Sequence, residues 1–157
     1  MQEYKFTATA FTRPADTTAY TSGDLVANST TAASVVPLKF TVNTGTRIQR
    51  AGIVLSDATN TNASFRLHLY SSSPTCATNH GDNASWSTTA SGYIGSIDVD
   101  CTTRAFTDFV TGVGNSISGG VPLEVGSGVI YGLLEARAAY TPTSAETFTV
   151  TLYGECQ

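Results

Sequence analysis

His68 and His80 are the only histidines in this sequence, which makes them the first candidates for a general base. A Ser–His–Asp triad is assembled in space, so spacing along the chain does not test for one. A nucleophile elbow has the pattern Gly-x-Ser-x-Gly, and the nearest run, Val125-Gly126-Ser127-Gly128, lacks that spacing. His68 alternates with apolar residues, so we expect it to face solvent or an interface. We therefore predict that the chain has no catalytic residue and is not an enzyme.

Paired carboxylates and glycine-rich loops are the next candidates for chemistry. Asp98 and Asp100 are two residues apart, which places them on one face of a strand, about 7 Å apart. Such a pair at a strand end is more often solvated, or part of a calcium site, than catalytic. The runs Gly112-x-Gly114 and Gly119-Gly120 do not open a helix after a strand, so they are not phosphate loops.

The cysteines lack the spacing of a metal site. Cys76 and His80 are four residues apart, but no second pair of ligands accompanies them. We therefore predict no metal and no cofactor. The simplest interpretation is three reduced thiols, at least one of them buried. The alternative is a single disulfide, if the protein matures outside the cell. The three positions are Cys76, Cys101 and Cys156.

Composition narrows the class of protein. The chain has 157 residues, a net charge of −4 and only 13% charged residues, and Ser and Thr make up about a quarter of it. One folded domain is expected at this length. Lys5 and Lys39 are the only lysines and no basic run is present, so nucleic-acid binding is not expected. No apolar stretch approaches 18 residues and residues 1–5 do not resemble a secretory signal, so we expect no membrane span and synthesis in a cytoplasm. A hydroxyl-rich surface of low charge favours assembly.

Alternating apolar residues predict an all-β fold. In residues 64–70, Phe65, Leu67 and Leu69 alternate with polar side chains. A second strand is predicted over residues 93–100, with Gly95 at a bulge or at a close backbone approach. The long connector between them ends near Trp86, the only tryptophan, and one helical turn is predicted over residues 82–90. About eight strands are predicted, and residues 104–110 are interpreted as strand or loop. This pattern favours an antiparallel jelly-roll or Greek-key β-sandwich. Residues 1–12 are predicted to be an extended N-terminal arm or a first strand, and residues 13–157 the β-sandwich domain.

Three segments carry a family resemblance. The first is residues 11–26, with the unusual run Arg13-Pro14-Ala15-Asp16-Thr17-Thr18-Ala19-Tyr20. The second is residues 65–70 with Ser73-Pro74-Thr75, and the third is Gly81-Asp82-Asn83-Ala84-Ser85-Trp86 leading to residues 93–98. In this order they resemble the cement or decoration proteins on the capsids of tailed bacteriophages. The resemblance implies a jelly-roll body that binds the outer face of a major capsid protein and associates into homo-dimers or homo-trimers, with no catalytic residues.

Large amphipathic side chains are the candidates for partner binding. Trp86 and Tyr93 either seal the end of the core or contact a partner subunit. Tyr20 either closes the sandwich edge or is offered to a neighbour, while Asp16 and Asp24 are interpreted as turn acids. Residues 4–11 are nearly uncharged and suit an arm that pairs with a neighbour's sheet. The predicted partner-binding residues are Tyr4, Phe6, Phe11, Tyr20, Trp86 and Tyr93.

The sequence suggests three functions for this chain. The first is a structural virion protein on the capsid surface, assembled in the host cytoplasm, which reinforces the shell. The second is a receptor- or carbohydrate-binding head of a tail fibre, for which Trp86 with Asp82 and Asn83 is the nearest arrangement. The third, a secreted adhesive domain, is disfavoured by the missing signal peptide. The first is the expected function.

Overall fold

The regular secondary structure of the described residues is almost entirely β-strand. The computed structural model describes residues 2–56, 63–102, 110–114, 116–117, 123–126 and 128–156. Within these ranges the only helical element is a 3₁₀ turn at Ala32–Ser34, and no helix is long and apolar enough to cross a membrane. The strands are β1 (Glu3–Thr7), β2 (Phe11–Thr12), β3 (Leu25–Val26), β4 (Leu38–Thr41), β5 (Thr46–Leu55), β6 (Ser64–Tyr70), β7 (Tyr93–Asp100), β8 (Val110–Gly114), β9 (Ser116–Ile117), β10 (Leu123–Val125), β11 (Val129–Ala136) and β12 (Thr147–Cys156).

Two sheets are formed, and every strand pair in them is antiparallel. The first sheet has the order β1-β12-β5-β10, with β2 also on β12 and β8 also on β5. The second has the order β3-β11-β6-β7-β9, with β4 also on β11. The prediction of an all-β, antiparallel fold is confirmed.

Alternation along the strands builds one core between the sheets. Phe65, Leu67 and Leu69 of β6 are fully buried, as the sequence pattern predicts. The ring of Phe65 meets that of Phe148 in β12 edge-to-face, with centroids 5.6 Å apart. Because β6 and β12 belong to different sheets, this contact shows that the sheets face one another. Val150 in β12 belongs to the same core.

Strands β6 and β7, which the alternating pattern of the sequence predicts, are neighbours in the second sheet. Residues Ser64–Tyr70 run antiparallel to Tyr93–Asp100, and the register shifts where Leu69 lies opposite Gly95 and Tyr70 opposite Tyr93. Gly95 has a φ of +147°, which favours glycine. The predicted bulge at Gly95 is confirmed.

Two local predictions need comment. Of the two alternatives for the N-terminus, the structure shows a strand of the chain's own sheet, since Glu3–Thr7 pairs with Thr151–Glu155 of β12. The helical turn predicted over residues 82–90 is wrong, because that segment forms turns and two isolated bridges, Asp24 with Ser85 and Cys76 with Thr88. Most of the predicted strand or loop at residues 104–110 lies outside the described residues.

Candidate functional site

The outer face of the second sheet gathers charged and aromatic side chains. Strands β11, β6 and β7 lie side by side there, and their register places Glu135, Arg66 and Asp98 in one row across the sheet. The next outward row along β6 contains His68, opposite Leu133 of β11. Alternation brings these side chains to one face because the residues between them, such as Leu67, point into the core.

Ion pairs organise this face. The Arg66 guanidinium donates to both carboxylate oxygens of Asp98, with Nε–Oδ1 at 2.6 Å and Nη2–Oδ2 at 3.0 Å. This two-pronged contact lowers the pKa of Asp98 below its ordinary value. Glu135 contacts His68 Nε2 at 2.7 Å and accepts from Arg137 Nη1 at 2.9 Å. Charges in this face are therefore held in fixed positions.

Aromatic rings cover the histidine. Trp86 stacks on His68 with ring centroids 4.1 Å apart, and the Tyr93 hydroxyl lies 3.3 Å from His68 Nδ1. Tyr93 also meets Tyr70 edge-to-face at 5.3 Å. Burial lowers the pKa of His68, although its contact with Glu135 acts in the opposite direction. Of the two expectations for His68, solvent or an interface, exposure to solvent is wrong: the side chain lies on the outer face, but Trp86 stacks on it and the residue is only 9% exposed.

We call this set the aromatic–charged patch. Tyr93, with 44% of its surface exposed, is the most accessible large aromatic side chain within it, while Trp86 is half-buried. The members of the patch are Arg66, His68, Tyr70, Trp86, Tyr93, Asp98, Glu135 and Arg137.

Trp86 reaches the patch because the connector between β6 and β7 folds back over the sheet. Its backbone N–H donates to the carbonyl of Gly23 at 2.6 Å. Its side chain packs against a small second core on the outer face, formed by Leu25, Ala27 and Leu133. The tryptophan thus covers this second core, which is separate from the main core between the sheets, and it borders the exposed part of the patch as well.

A buried polar network fixes the same connector. Asp82 Oδ1 accepts hydrogen bonds from the Tyr20 hydroxyl at 2.7 Å and the backbone N–H of Ala27 at 2.8 Å. Arg13 Nε donates to the Tyr20 hydroxyl at 2.9 Å, and Arg13 Nη2 lies 3.4 Å from Asp82 Oδ2. The side chains of Arg13 and Asp82 have no exposed surface. Burial raises the pKa of Asp82, and the hydrogen bonds to its charged form oppose that effect.

This network explains two of the segments that carry the family resemblance. Residues 11–26 supply the arginine and the tyrosine, and residues 81–86 supply the aspartate. Asn83 adds to the joint by donating to the carbonyl oxygens of Thr18 and Ala19, at 2.9 and 3.2 Å. The unusual residues of these segments therefore hold a loop in place.

The turn interpretations of two acids agree with the geometry. Asp16 Oδ1 accepts from the backbone N–H of Thr18 at 2.9 Å, and Asp24 Oδ2 accepts from that of Thr21 at 2.7 Å. The bond from Asp16 to the backbone N–H two residues on is typical of an Asx turn. Asp24 instead bonds to the N–H three residues before it, within its own loop.

The predicted partner-binding residues separate into two groups. Trp86 and Tyr93 come together in the patch. Tyr20 is fully buried and stacks on Tyr140 at 5.1 Å, and Phe6 is only 9% exposed, so neither offers a surface to a partner and both are withdrawn from the set. The remaining two are half-buried: Tyr4 stacks on Phe6, and Phe11 stacks on Phe148.

The cysteines, His80 and the paired aspartates do not come together in one site. All three cysteines are unpaired, and burial raises the pKa of Cys101 to about 12. His80 Nδ1 bonds to the carbonyl oxygen of Ser85 within its own loop. Of the Asp98 and Asp100 pair, Asp98 is bound by Arg66, and Asp100 Oδ1 accepts from the backbone N–H of Thr102 at 2.9 Å. In the ranges that the structure describes, no group of three or more His, Cys, Asp or Glu residues could hold a metal ion.

Comparison with known proteins gives no relative to guide the interpretation. No protein-family model matches the sequence, and no curated protein matches it significantly. Function must therefore be argued from the patch and the fold.

Sequence reasoning missed four members of the patch, Arg66, Tyr70, Glu135 and Arg137. Alternation within residues 64–70 was a usable signal for the first, because it placed Arg66 on the same face as His68. No such signal was available for Glu135, since its place beside them depends on β11 pairing with β6.

Proposed function

We propose that this chain is a structural virion protein that decorates and stabilises a bacteriophage capsid, binding the major capsid protein and other copies of itself. The family resemblance of three segments motivates the proposal: residues 11–26, residues 65–70 with 73–75, and residues 81–86 with 93–98. One structural observation supports it: exposed Tyr93 and half-buried Trp86 contact His68, whose partner Glu135 also binds Arg137 and lies opposite Arg66 in the same sheet. Tryptophan, tyrosine and arginine are the residues most enriched where interfaces derive their binding energy.

The patch is also preorganised for binding. Tyr93 is restrained by Tyr70 and His68, and Arg66 by both oxygens of Asp98. Side chains that are already fixed lose less entropy when a partner covers them. On a capsid, many modest contacts of this type add through the repeated lattice.

We infer that the connectivity is that of a jelly roll. Treating β1 with β2, β3 with β4, and β8 with β10 as single interrupted strands leaves eight strands in chain order, with short β9 set aside. The first sheet then has the order first–eighth–third–sixth, and the second has the order second–seventh–fourth–fifth. Two four-stranded antiparallel sheets connected in this way form the double Greek key of jelly rolls, which occur in viral capsid and lectin domains.

A non-enzymatic function suits the one histidine–carboxylate pair in the patch. Both ring nitrogens of His68 are engaged, Nε2 by Glu135 and Nδ1 by the Tyr93 hydroxyl, and Trp86 covers the ring. A general base must reach the nucleophile that it activates. We therefore propose a binding role for this pair.

The competing function, the head of a tail fibre that binds a receptor or carbohydrate, lacks the arrangement predicted for it. Asp82 is buried in the network with Arg13, and the Asn83 amide is occupied by backbone carbonyls, so neither accompanies Trp86 at a sugar site. Antibody labelling of intact virions, viewed by electron microscopy, distinguishes the two functions. We expect label over the head, and label confined to the tail tip would contradict the capsid proposal.

Removing residues 1–12 is a poor test of an arm that pairs with a neighbour. Residues Glu3–Thr7 and Phe11–Thr12 both pair with β12, so their deletion would strip the edge of the first sheet. Substitutions on the exposed part of the patch test capsid binding without this defect.

A further inference from the structure

The basic side chains of the described residues divide into two kinds. Each of the five arginines there has a carboxylate within ion-pair distance; they are Arg13, Arg47, Arg50, Arg66 and Arg137. Across the same part of the chain, Lys5 and Lys39 have none, and the Lys5 ammonium lies 5.7 Å from the ring centroid of Tyr153. The two lysines are also the only ones in the sequence. Their charges are therefore not used to stabilise the fold through ion pairs.

Both lysines lie on strands at the border of a sheet. Lys5 is the central residue of β1, and β12 is the only described strand that pairs with it. Lys39 is in β4, which among the described strands pairs only with β11. Both side chains are exposed. One unpaired lysine is thus present on this border of each sheet, and β1 and β4 approach one another there.

An unpaired strand edge is a template for another strand. Its free N–H and C=O groups can bond to a second chain, and proteins commonly prevent this with a charged residue, especially lysine. Because Lys5 is the middle residue of the five-residue strand β1, it would face itself in a symmetric pair of strands. If β1 of a second copy pairs with β1 antiparallel and in register, residue 3 lies opposite residue 7 and Lys5 lies opposite Lys5. Two ammonium groups on directly opposed residues, with Cβ atoms about 5 Å apart, repel each other.

We propose that Lys5 and Lys39 prevent copies of this chain from joining through the β1 and β4 edges. The partner that they exclude is the same strand edge of a second copy. Copies crowded on a particle would then contact one another through the faces of their sheets, and their strands would not pair into one continuous sheet. This inference does not depend on a capsid function, because it concerns the isolated protein.

The test compares charge-neutral and charge-retaining variants of the purified chain. Lys5→Thr/Lys39→Thr keeps residues that suit strands, while Lys5→Arg/Lys39→Arg keeps both charges. Arg47→Thr is the control for the single variant Lys5→Thr, because each removes one positive charge. Arg47 lies in β5, which has a paired strand on each side and so no free edge. Circular dichroism verifies that each variant is folded. Light scattering after size exclusion reports the mass relative to the 16.4 kDa monomer, and hydrogen exchange reports on the amides of β1 and β4.

We expect the double threonine variant to show at least twice the mass of the wild type, with new protection of the amides in β1 or β4. The arginine variant and Arg47→Thr should keep the wild-type mass. A threonine variant of wild-type mass, or larger species without protection at either edge, would overturn the proposal. So would a wild-type protein whose β1 amides are already protected by another copy.

A charge-reversal experiment tests the register. Lys5→Glu should keep the wild-type mass when alone, since like charges still face each other, and should pair with the wild type when the two are mixed. Failure of the mixture to form a mixed species, when Lys5→Thr does self-associate, would show that residue 5 does not face residue 5.

Discussion

Asp82 is the residue on which the connector between β6 and β7 most depends. Its carboxylate has no exposed surface, accepts hydrogen bonds from the Tyr20 hydroxyl and the Ala27 N–H, and forms an ion pair with Arg13. Removing the Asp82 carboxylate leaves the buried Tyr20 hydroxyl and Ala27 N–H without their acceptor. It also takes from the buried Arg13 one of its two carboxylates, the other being that of Asp16 at 3.0 Å. We predict that Asp82→Ala lowers the free energy of unfolding by about 3–5 kcal/mol, measured by urea denaturation.

The matched control for this prediction is Asp98→Ala. That carboxylate is also paired with an arginine, but 44% of its side chain is exposed. Exposed pairs contribute about 0–1 kcal/mol. If Asp82→Ala fails to fold, Tyr20→Phe, which removes only the hydroxyl donor and acceptor, should still cost about 1–3 kcal/mol. Equal losses for Asp82→Ala and Asp98→Ala would show that burial of the network is not what stabilises it.

His68 gives the stability a specific pH dependence. Burial lowers its pKa in the folded state, and Arg66 and Arg137 act in the same direction, while Glu135 opposes them. The unfolded chain therefore binds a proton more readily, with an ordinary histidine pKa of about 6.5. Stability is fully present above that value and falls as the pH drops from about 6.5 towards the lower pKa of the folded state. The slope is at most about 1.4 kcal/mol per pH unit for one proton.

The variant that isolates this effect is His68→Gln, which does not titrate. We predict that urea denaturation at several pH values between 7.5 and 5 gives a smaller loss of stability on acidification for His68→Gln than for the wild type. His80 is present in both proteins and so cancels from the difference. Parallel curves for the two proteins would contradict the prediction, whatever their absolute stabilities.

At the scale of elements, the connector is held as tightly by its backbone as by its side chains. A Cβ added to Gly81 would overlap the carbonyl oxygen of Thr30, in the loop on which the connector rests. We predict that Gly81→Ala lowers the free energy of unfolding by about 1–3 kcal/mol, because backbone must move to make room. Gly126→Ala is the control, since no atom of the described residues lies within 4 Å of the added carbon, and it should change stability by less than about 0.5 kcal/mol. Similar values for the two variants, measured by urea denaturation, would show that the connector adjusts freely.

The elements themselves were largely predictable, for a physical reason. A strand with one face in the core must alternate, so the pattern of Phe65, Leu67 and Leu69 predicted β6 directly. The error at residues 82–90 has an equally physical origin. Asp82 has the side chain of a helix cap, but it bonds to Tyr20 and Ala27, which are distant in sequence. Local propensity does not contain such contacts.

At the scale of the whole molecule, the patch could not be predicted because it is made by strand order. Arg66 and Asp98 were each readable as outward-facing residues. Their contact with one another, and the position of Glu135 beside them, require β7, β6 and β11 to be neighbours. The sequence predicted that Trp86 and Tyr93 are important aromatic residues, and the fold determines that they lie around one histidine.

The proposed capsid binding belongs to the scale of the whole molecule, and Tyr93 is the residue that tests it best. Its ring is 44% exposed and contacts Tyr70 and His68 only from the side of the sheet, so truncation should leave the core intact. We predict that Tyr93→Ala weakens binding to undecorated capsids at least about tenfold, equivalent to about 1.4 kcal/mol, while the urea midpoint stays near the wild-type value. Val36→Ala is the control, because Val36 is the most exposed large apolar residue described, at 68%, and does not belong to the patch. Co-sedimentation of purified protein with capsids over a range of concentrations measures both variants. Unchanged binding of Tyr93→Ala, or an equal loss for Val36→Ala, would show that the capsid contact is not made through the patch.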